Sequence, residues 1–135
     1  MAYSRNVETV PMTLVEMPEF ILRSKDLFSS AELNALQVHI GTHPDSGDLM
    51  PGTGGVRKLR WALEGKGKRG GARIIYYFHS GAVPIFLLTV FSKNEKVDLS
   101  KAEKNQLRKL IPFSLRVIKN TREYHGRENQ KQSER

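Results

Sequence analysis

Apolar and polar residues alternate with the period of a β-strand in several parts of the chain. The clearest case is Val56 to Leu63, where Leu59 and Trp61 fall on one side and Lys58 and Arg60 on the other. Two further alternating stretches and one apolar run also predict strands, at residues 12–17, 72–80 and 84–93.

Three helices are predicted between and after these strands. The second has the best-defined start, because Ser29 and Glu32 have the spacing of a capping box and are followed by leucine and isoleucine on a helical period. Gly41 is expected to end that helix in a left-handed conformation. The first helix covers residues 18–28, and the last begins at a second capping box, Ser100 with Glu103.

The order β-α-α-β-β-β-α predicts an α+β fold, with a small, mainly antiparallel sheet and its helices packed on one face. The opposite face or the rim would then carry the charged side chains. We expect a single domain over residues 12–118, preceded by a flexible lead at 1–11 and followed by a polar tail at 119–135.

The composition of the chain excludes some kinds of site and favours one kind of partner. The 135-residue chain has no cysteine, which excludes disulfides and thiolate metal sites, and shows neither a signal peptide nor an apolar run long enough to span a bilayer. A cytoplasmic location is expected. The net charge of +8 favours an anionic partner, with nucleic acid first, an acidic protein second and a membrane surface third.

Positive charge is concentrated in one glycine-rich stretch, from Gly52 to Arg73. It holds seven glycines, seven Lys or Arg and a single acid, Glu64. Such a stretch is either a solvated basic hairpin or a surface that binds phosphate. Neither of its glycine motifs precedes a helix, so a nucleotide-binding loop is not expected.

Enzymatic motifs that use histidine, metal or a cofactor are not apparent. The four histidines lack metal-ligand spacing, and no cofactor is expected. Lys and Arg can still promote RNA cleavage, because the RNA 2′-OH is itself the nucleophile. The protein need only align that hydroxyl, stabilise charge on the phosphorane and assist two proton transfers.

The stretch "GTGGVRKLRWALEGKGKRGGARIIYYFH", followed by "PIFLLTVFSKNEKVDLSKAEKNQLRKL", resembles the HigB branch of the RelE superfamily of type II toxin–antitoxin toxins. The resemblance spans about Met12 to Ile111. It implies a small ribonuclease that cuts mRNA in the ribosomal A site and inhibits translation. It also implies a helix-turn-helix antitoxin as partner, which would connect the toxin to DNA only indirectly.

The resemblance implies roles for specific residues of this chain. It implies catalytic roles for Lys58, Arg60, Arg73 and Lys93, with Glu95 as a further candidate, and places Asn94 where RelE has an arginine. The charge of the glycine-rich stretch and the face that Tyr77 shares with Arg73 extend the predicted RNA-binding residues to Arg57, Lys66, Lys68, Arg69, Tyr77 and Asn94. The tyrosine that RelE uses has no counterpart near Leu99 and Ser100. The general base is therefore open among Lys58, Lys93 and Glu95.

Other interpretations of these residues remain. Lys58 and Arg60 could be ordinary solvent-facing residues, and Arg73, expected to be exposed at a strand end, could pair with a carboxylate such as Asp98. Two other functions also remain. One is a basic RNA- or ribosome-binding protein without turnover, and the other is a toxin of the related ParE branch that poisons DNA gyrase.

Overall fold

Five strands form one sheet in the order β1-β5-β4-β3-β2. The computed structural model describes residues 11–63, 71–96, 98–109 and 111. Its elements are β1 (Leu14–Glu16), α1 (Pro18–Leu27), α2 (Ser30–Thr42), β2 (Asp48–Leu49), β3 (Val56–Trp61), β4 (Ala72–Tyr77), β5 (Ile85–Ser92) and a last helix, α3, at 101–109. β1 runs parallel to β5, and the other pairs are antiparallel.

Local signals fix where the helices begin. Pro18 occupies the first turn of α1, where its missing N–H costs no hydrogen bond. At α2, Ser29 Oγ accepts the Glu32 N–H at 3.1 Å and Glu32 Oε1 accepts the Ser29 N–H at 3.0 Å. The same reciprocal pair joins Ser100 and Glu103, at 3.1 and 2.9 Å. Both predicted capping boxes are therefore confirmed.

The sheet is covered on both faces by separate apolar clusters. On the first face, α1 and α2 contribute Phe20, Leu36 and Ile40, which pack with Ile74 and Tyr76 of β4. On the second face, Leu99, Leu107 and Ile111 of the C-terminal segment pack with residues that include Ile75, Tyr77, Phe86 and Leu88.

The α+β class and the mainly antiparallel sheet are confirmed, but the helices do not all lie on one face as the sequence predicted. The physical reason is that β4 and β5 are apolar on both sides. Every residue of β4 and all but the last of β5 are buried. Such strands need a cover on each face, and α3 supplies the second one.

Two strand pairings in the sheet were not predicted from the sequence. The two-residue strand β2 lies between α2 and β3, outside the predicted strands, and pairs Asp48 with Lys58. At the opposite edge, β1 pairs in parallel with the first residues of β5. α1 then continues along β5, with Met17 N–H donating to Leu87 O at 2.9 Å.

Gly41 does not end α2 as predicted. The helix continues to Thr42, and Gly41 is absent from the glycines with positive φ. The residue is required by close packing instead. Its carbonyl accepts the Met12 N–H at 2.9 Å, and a Cβ at this position would lie 2.9 Å from the Pro11 Cβ.

The proposed domain limits lie at residues 12 and 118, and residues 1–10 and 112–135 are outside the described part of the chain. The same holds for residues 64–70, most of the glycine-rich hairpin loop. Within the described residues, none of the helices combines the length and hydrophobicity that crossing a bilayer requires.

Tyr76 joins the sheet to the loop that leads into β2. Its hydroxyl donates to Pro44 O at 2.8 Å and accepts the Gly47 N–H at 2.8 Å. Arg57 reinforces the same loop, because its Nη1 donates to Gly47 O at 2.7 Å and to Asp45 O at 3.2 Å. The position of β2, which borders the site described below, therefore depends on these side chains.

Replacing Tyr76 by Phe should lower the free energy of unfolding by about 1–3 kcal/mol, since a buried N–H loses its acceptor. Tyr77→Phe is the matched control, because it deletes a hydroxyl from the next residue, where the contact is a 3.3 Å bond to His79 Nδ1. We expect its cost to be below about 1 kcal/mol. Urea unfolding of both variants measures the difference. Equal costs would contradict the structural role of Tyr76.

Candidate nucleic-acid interface

The register between β3 and β4 brings three cations to one face of the sheet. Arg60 lies directly opposite Arg73, and Lys58 lies opposite Ile75. Side chains directly opposite in an antiparallel pair have Cβ atoms about 4.5–5.5 Å apart, and residues two apart share a face. Lys58, Arg60 and Arg73 therefore share one face. The alternation predicted this for Lys58 and Arg60, but the face also carries α3 and is not the helix-free face that the sequence led us to expect.

Burial distinguishes the two arginines. Arg60 is exposed, whereas Arg73 is only 6 % exposed, and its Nη1 donates to Ala72 O at 3.3 Å. The expectation of an exposed Arg73 is wrong, because β4 is a central strand and Arg73 lies beside the buried Phe91 of β5. A buried guanidinium has few conformations available. The Arg73 side chain is therefore held in place, whereas the exposed Arg60 side chain can change conformation.

An ion-pair bridge extends the basic face towards α3. Asp98 Oδ1 lies 3.4 Å from Lys58 Nζ, and Asp98 Oδ2 lies 3.9 Å from Lys104 Nζ. Burial would raise the pKa of Asp98, but the Leu99 N–H and the charges of Lys58 and Lys104 outweigh it, so the pKa is lowered. Asp98 is therefore a carboxylate at neutral pH.

A surface pocket of about 250 Å³ lies between β2, β3 and the start of α3. Its walls contain three cations, two acids and a short apolar rim. The lining residues are Asp48, Leu49, Met50, Pro51, Lys58, Arg60, Asp98 and Lys104. The three cations of this lining can form charge-assisted hydrogen bonds with an anionic group such as a phosphate.

The turn after β5 carries three more of the predicted site residues, all exposed. The Lys93 N–H donates to Gly71 O at 3.1 Å, which places this turn beside the start of β4 and hence near Arg73. Glu95 points to α1, where its Oε2 lies 2.9 Å from Arg23 Nη1. Asn94 lies between them in the same turn.

Two residues predicted to bind RNA lie elsewhere. Arg57 projects to the opposite face and is engaged by the carbonyls of residues 45 and 47. Tyr77 is 6 % exposed, and burial raises the pKa of its hydroxyl. Neither side chain offers a surface on which RNA can stack or bind. Lys66, Lys68 and Arg69 lie outside the described residues, so their role stays a prediction.

Asp98 and Lys104 line the pocket but were not assigned by the resemblance. The one sequence signal for them is their position relative to the capping residue Ser100. Asp98 lies two residues before Ser100, and Lys104 lies about one helical turn after Ser100. Over the described residues, no group of three or more His, Asp or Glu side chains is placed to hold a metal ion.

A family model described as the RelE toxin of the RelE/RelB toxin–antitoxin system matches residues 45–122, more than half of the chain. The protein belongs to the RelE toxin family. It is thus a toxin-antitoxin toxin, as its sequence motifs indicated. Among solved structures, it is similar to an Arg-to-Ala double mutant of the E. coli toxin RelE in the free state. That match has 15% identity, covers 65% of this chain and 90% of that chain, and has a TM-score of 0.48.

In this RelE-family toxin, the matched region contains the whole pocket. It begins just before β2 and includes β3, β4, β5 and α3, whereas β1, α1 and α2 precede it. The cations on β3 and β4, the turn after β5 and the Asp98–Lys104 bridge all lie inside the match. The family relationship therefore concerns the same part of the molecule as the basic site.

Arg73→Ala should lower the free energy of unfolding by about 1–3 kcal/mol, because a buried side chain loses its packing. Arg60→Ala, a matched change directly across the strand pair, should stay within about 0.5 kcal/mol. Thermal or urea unfolding of the two variants provides the comparison. Arg73→Ala as stable as Arg60→Ala would show that burial at this position carries no packing energy.

Acid should destabilise this toxin through two carboxylates. The pKa of Glu103 is lowered first by its hydrogen bond with Lys96 and then by the Ser100 N–H, and that of Asp98 is lowered as described above. A carboxyl group whose pKa is lowered by folding stabilises the folded state. This stabilisation is complete above the ordinary pKa values, 3.8 for Asp98 and 4.5 for Glu103, and is lost as the pH falls through the lower folded-state pKa values.

The double variant Asp98→Asn, Glu103→Gln should therefore lose less of its unfolding temperature than wild type between pH 7 and about pH 3. Asp26→Asn, at an exposed position of α1, serves as the control and should follow the wild-type curve. Parallel curves for wild type and the double variant would contradict the assignment.

Proposed function

We propose that this toxin inhibits translation as a ribosome-dependent mRNA endonuclease of the HigB type, acting in the ribosomal A site. The observation that carries the proposal is the grouping of Lys58, Arg60 and Arg73 on one sheet face, beside a pocket of about 250 Å³ lined by cations. Cations held by paired strands can keep the geometry that a transition state requires.

The reaction that fits this site uses the RNA as its own nucleophile. The 2′-oxygen attacks the adjacent phosphorus and gives its proton to a base, while the bond from phosphorus to the 5′-oxygen breaks and that oxygen gains a proton. The products are a 2′,3′-cyclic phosphate and a 5′-hydroxyl. Charge accumulates on the phosphorane oxygens, which forked guanidinium donors stabilise better than a single ammonium.

The positions of the side chains suggest a division of roles. Arg60 is exposed and would hold the phosphate oxygens, and the buried Arg73 directly across the strand pair would add positive charge beside them. Lys58 lies in the pocket with its ammonium near Asp98, where it would stabilise the developing charge. Of the candidates for the general base, Glu95 is engaged by Arg23, which favours Lys93 in the same turn.

The proposed partners follow from the same assignment. The substrate is mRNA on the ribosome, and we propose a HigA-like helix-turn-helix antitoxin that neutralises the toxin. Contact with DNA would then be made by the antitoxin complex. A site of action on ribosomes places the toxin in the cytoplasm.

Cleavage of mRNA on programmed ribosomes tests the proposal. Wild type should create new 5′ ends in the A-site codon, and a 2′-O-methyl group on the attacking ribose should abolish them. Arg60→Met should slow single-turnover cleavage by about 10²–10³-fold, since one phosphate donor is lost. Lys25→Met, an equal change at an exposed position of α1, should leave the rate unchanged.

Other outcomes would identify the other candidate functions. Translation blocked without new 5′ ends would indicate a ribosome-binding protein that lacks turnover. Double-strand breaks and a DNA damage response in cells that express the toxin would indicate gyrase poisoning. Cleavage that persists with the 2′-O-methyl substrate would refute the proposed chemistry.

A further inference from the structure

Asp98 is the one carboxylate in the described part of the chain that contacts lysines from two different elements. Lys58 belongs to β3 and Lys104 to α3, and each lies near a different oxygen of the Asp98 carboxylate. The Leu99 N–H donates to Asp98 Oδ1 at 2.8 Å, which limits rotation of the carboxylate. The bridge therefore links the charge of α3 to the charge of the sheet.

The two lysines are held loosely enough to bind something else. Distances of 3.4 and 3.9 Å exceed the 2.7–2.9 Å that is typical of a charge-assisted hydrogen bond. Their side chains remain 26 and 33 % exposed. A Lys ammonium has three donors, so contact with one carboxylate leaves capacity for a phosphate oxygen.

We propose that Lys104 binds an RNA phosphate together with Lys58 and Arg60, and that Asp98 is the positioning residue that sets the spacing between the two lysines. This inference rests on the proposed function, which it extends to α3. All four side chains line the same pocket of about 250 Å³. The site is thus built from two elements that are distant in sequence.

An RNA phosphate is the ligand that this arrangement favours. Three cations converge on the pocket, and its two acids, Asp48 and Asp98, leave a net positive charge. Lys58 and Arg60 also belong to the face on which we place the scissile phosphate. A phosphate bound at Lys104 would therefore be the scissile one or its immediate neighbour, and would fix the register of the strand.

Binding of an uncleavable 2′-O-methyl oligoribonucleotide, followed by fluorescence anisotropy over a range of salt concentrations, tests Lys104. Lys104→Gln should weaken binding and reduce the slope of log K against log salt by about 0.7, the value for one phosphate contact on a single strand. Lys109→Gln is the matched control. It removes the same charge from the same helix, at an exposed position about 140° around the axis.

The role of Asp98 is tested by measuring oligonucleotide binding and the cleavage rate separately. Asp98→Asn keeps the shape and the acceptor for the Leu99 N–H, but loses the charge that holds both lysines. Loss of a negative charge beside RNA should leave oligonucleotide binding equal to or tighter than wild type. Single-turnover cleavage on ribosomes should nevertheless fall, by up to about 100-fold, because the lysines are no longer positioned.

Glu103→Gln is the control for Asp98→Asn. It removes one carboxylate charge from the same segment and breaks the ion pair with Lys96, while glutamine can still complete the capping box. Its cleavage rate should match wild type. Equal rate losses in the two variants would show that Asp98 merely anchors the segment, which would overturn its positioning role.

The outcomes also separate this inference from the proposed function. If Lys104→Gln and Lys109→Gln lose binding equally while wild type cleaves, the phosphate contact is refuted and the endonuclease stands. If Lys104→Gln alone loses binding but wild type cuts no mRNA, the contact stands and the endonuclease is refuted. Failure of wild type to bind the oligoribonucleotide would overturn the inference.

Discussion

The pairing of β3 with β4 is the constraint on which the site depends. Side chains alternate between the two faces, so a shift of one residue would move Lys58 and Arg60 to the face covered by α2. Gly71 helps to fix the register. It has φ near 67°, and a Cβ there would lie 2.2 Å from Trp61 O. This close approach holds the end of β3 against the start of β4, where Arg60 faces Arg73.

That register has an energetic cost. Like charges directly opposite on a strand pair are destabilising, and Arg73 is buried as well. The apolar cluster on the same face, which includes Ile75, Phe86 and Leu107, supplies the packing that offsets this cost.

Local signals made much of the fold predictable. Ser29 with Glu32 predicts the start of a helix because both partners lie within one turn. The alternation of β3 predicts, without any tertiary information, that Lys58 and Arg60 share a face. The short strand β2, the parallel pairing of β1 and the placement of α3 on the second face depend on contacts between distant residues. Burial of Arg73 depends on Phe91 of the neighbouring strand in the same way, and a single sequence carries no signal for it.

The dependence on contacts between distant residues also explains why the sequence did not indicate Asp98 and Lys104 as site residues. Their importance arises from a bridge to Lys58, about forty residues earlier, that forms only once α3 has docked on the sheet. Docking in turn requires burial of Leu99, Leu107 and Ile111 against the second face. The pocket is therefore complete only when this helix is packed. Whatever alters the packing of α3 must also alter the spacing of the cations, so the stability of the helix and the geometry of the basic pocket are linked.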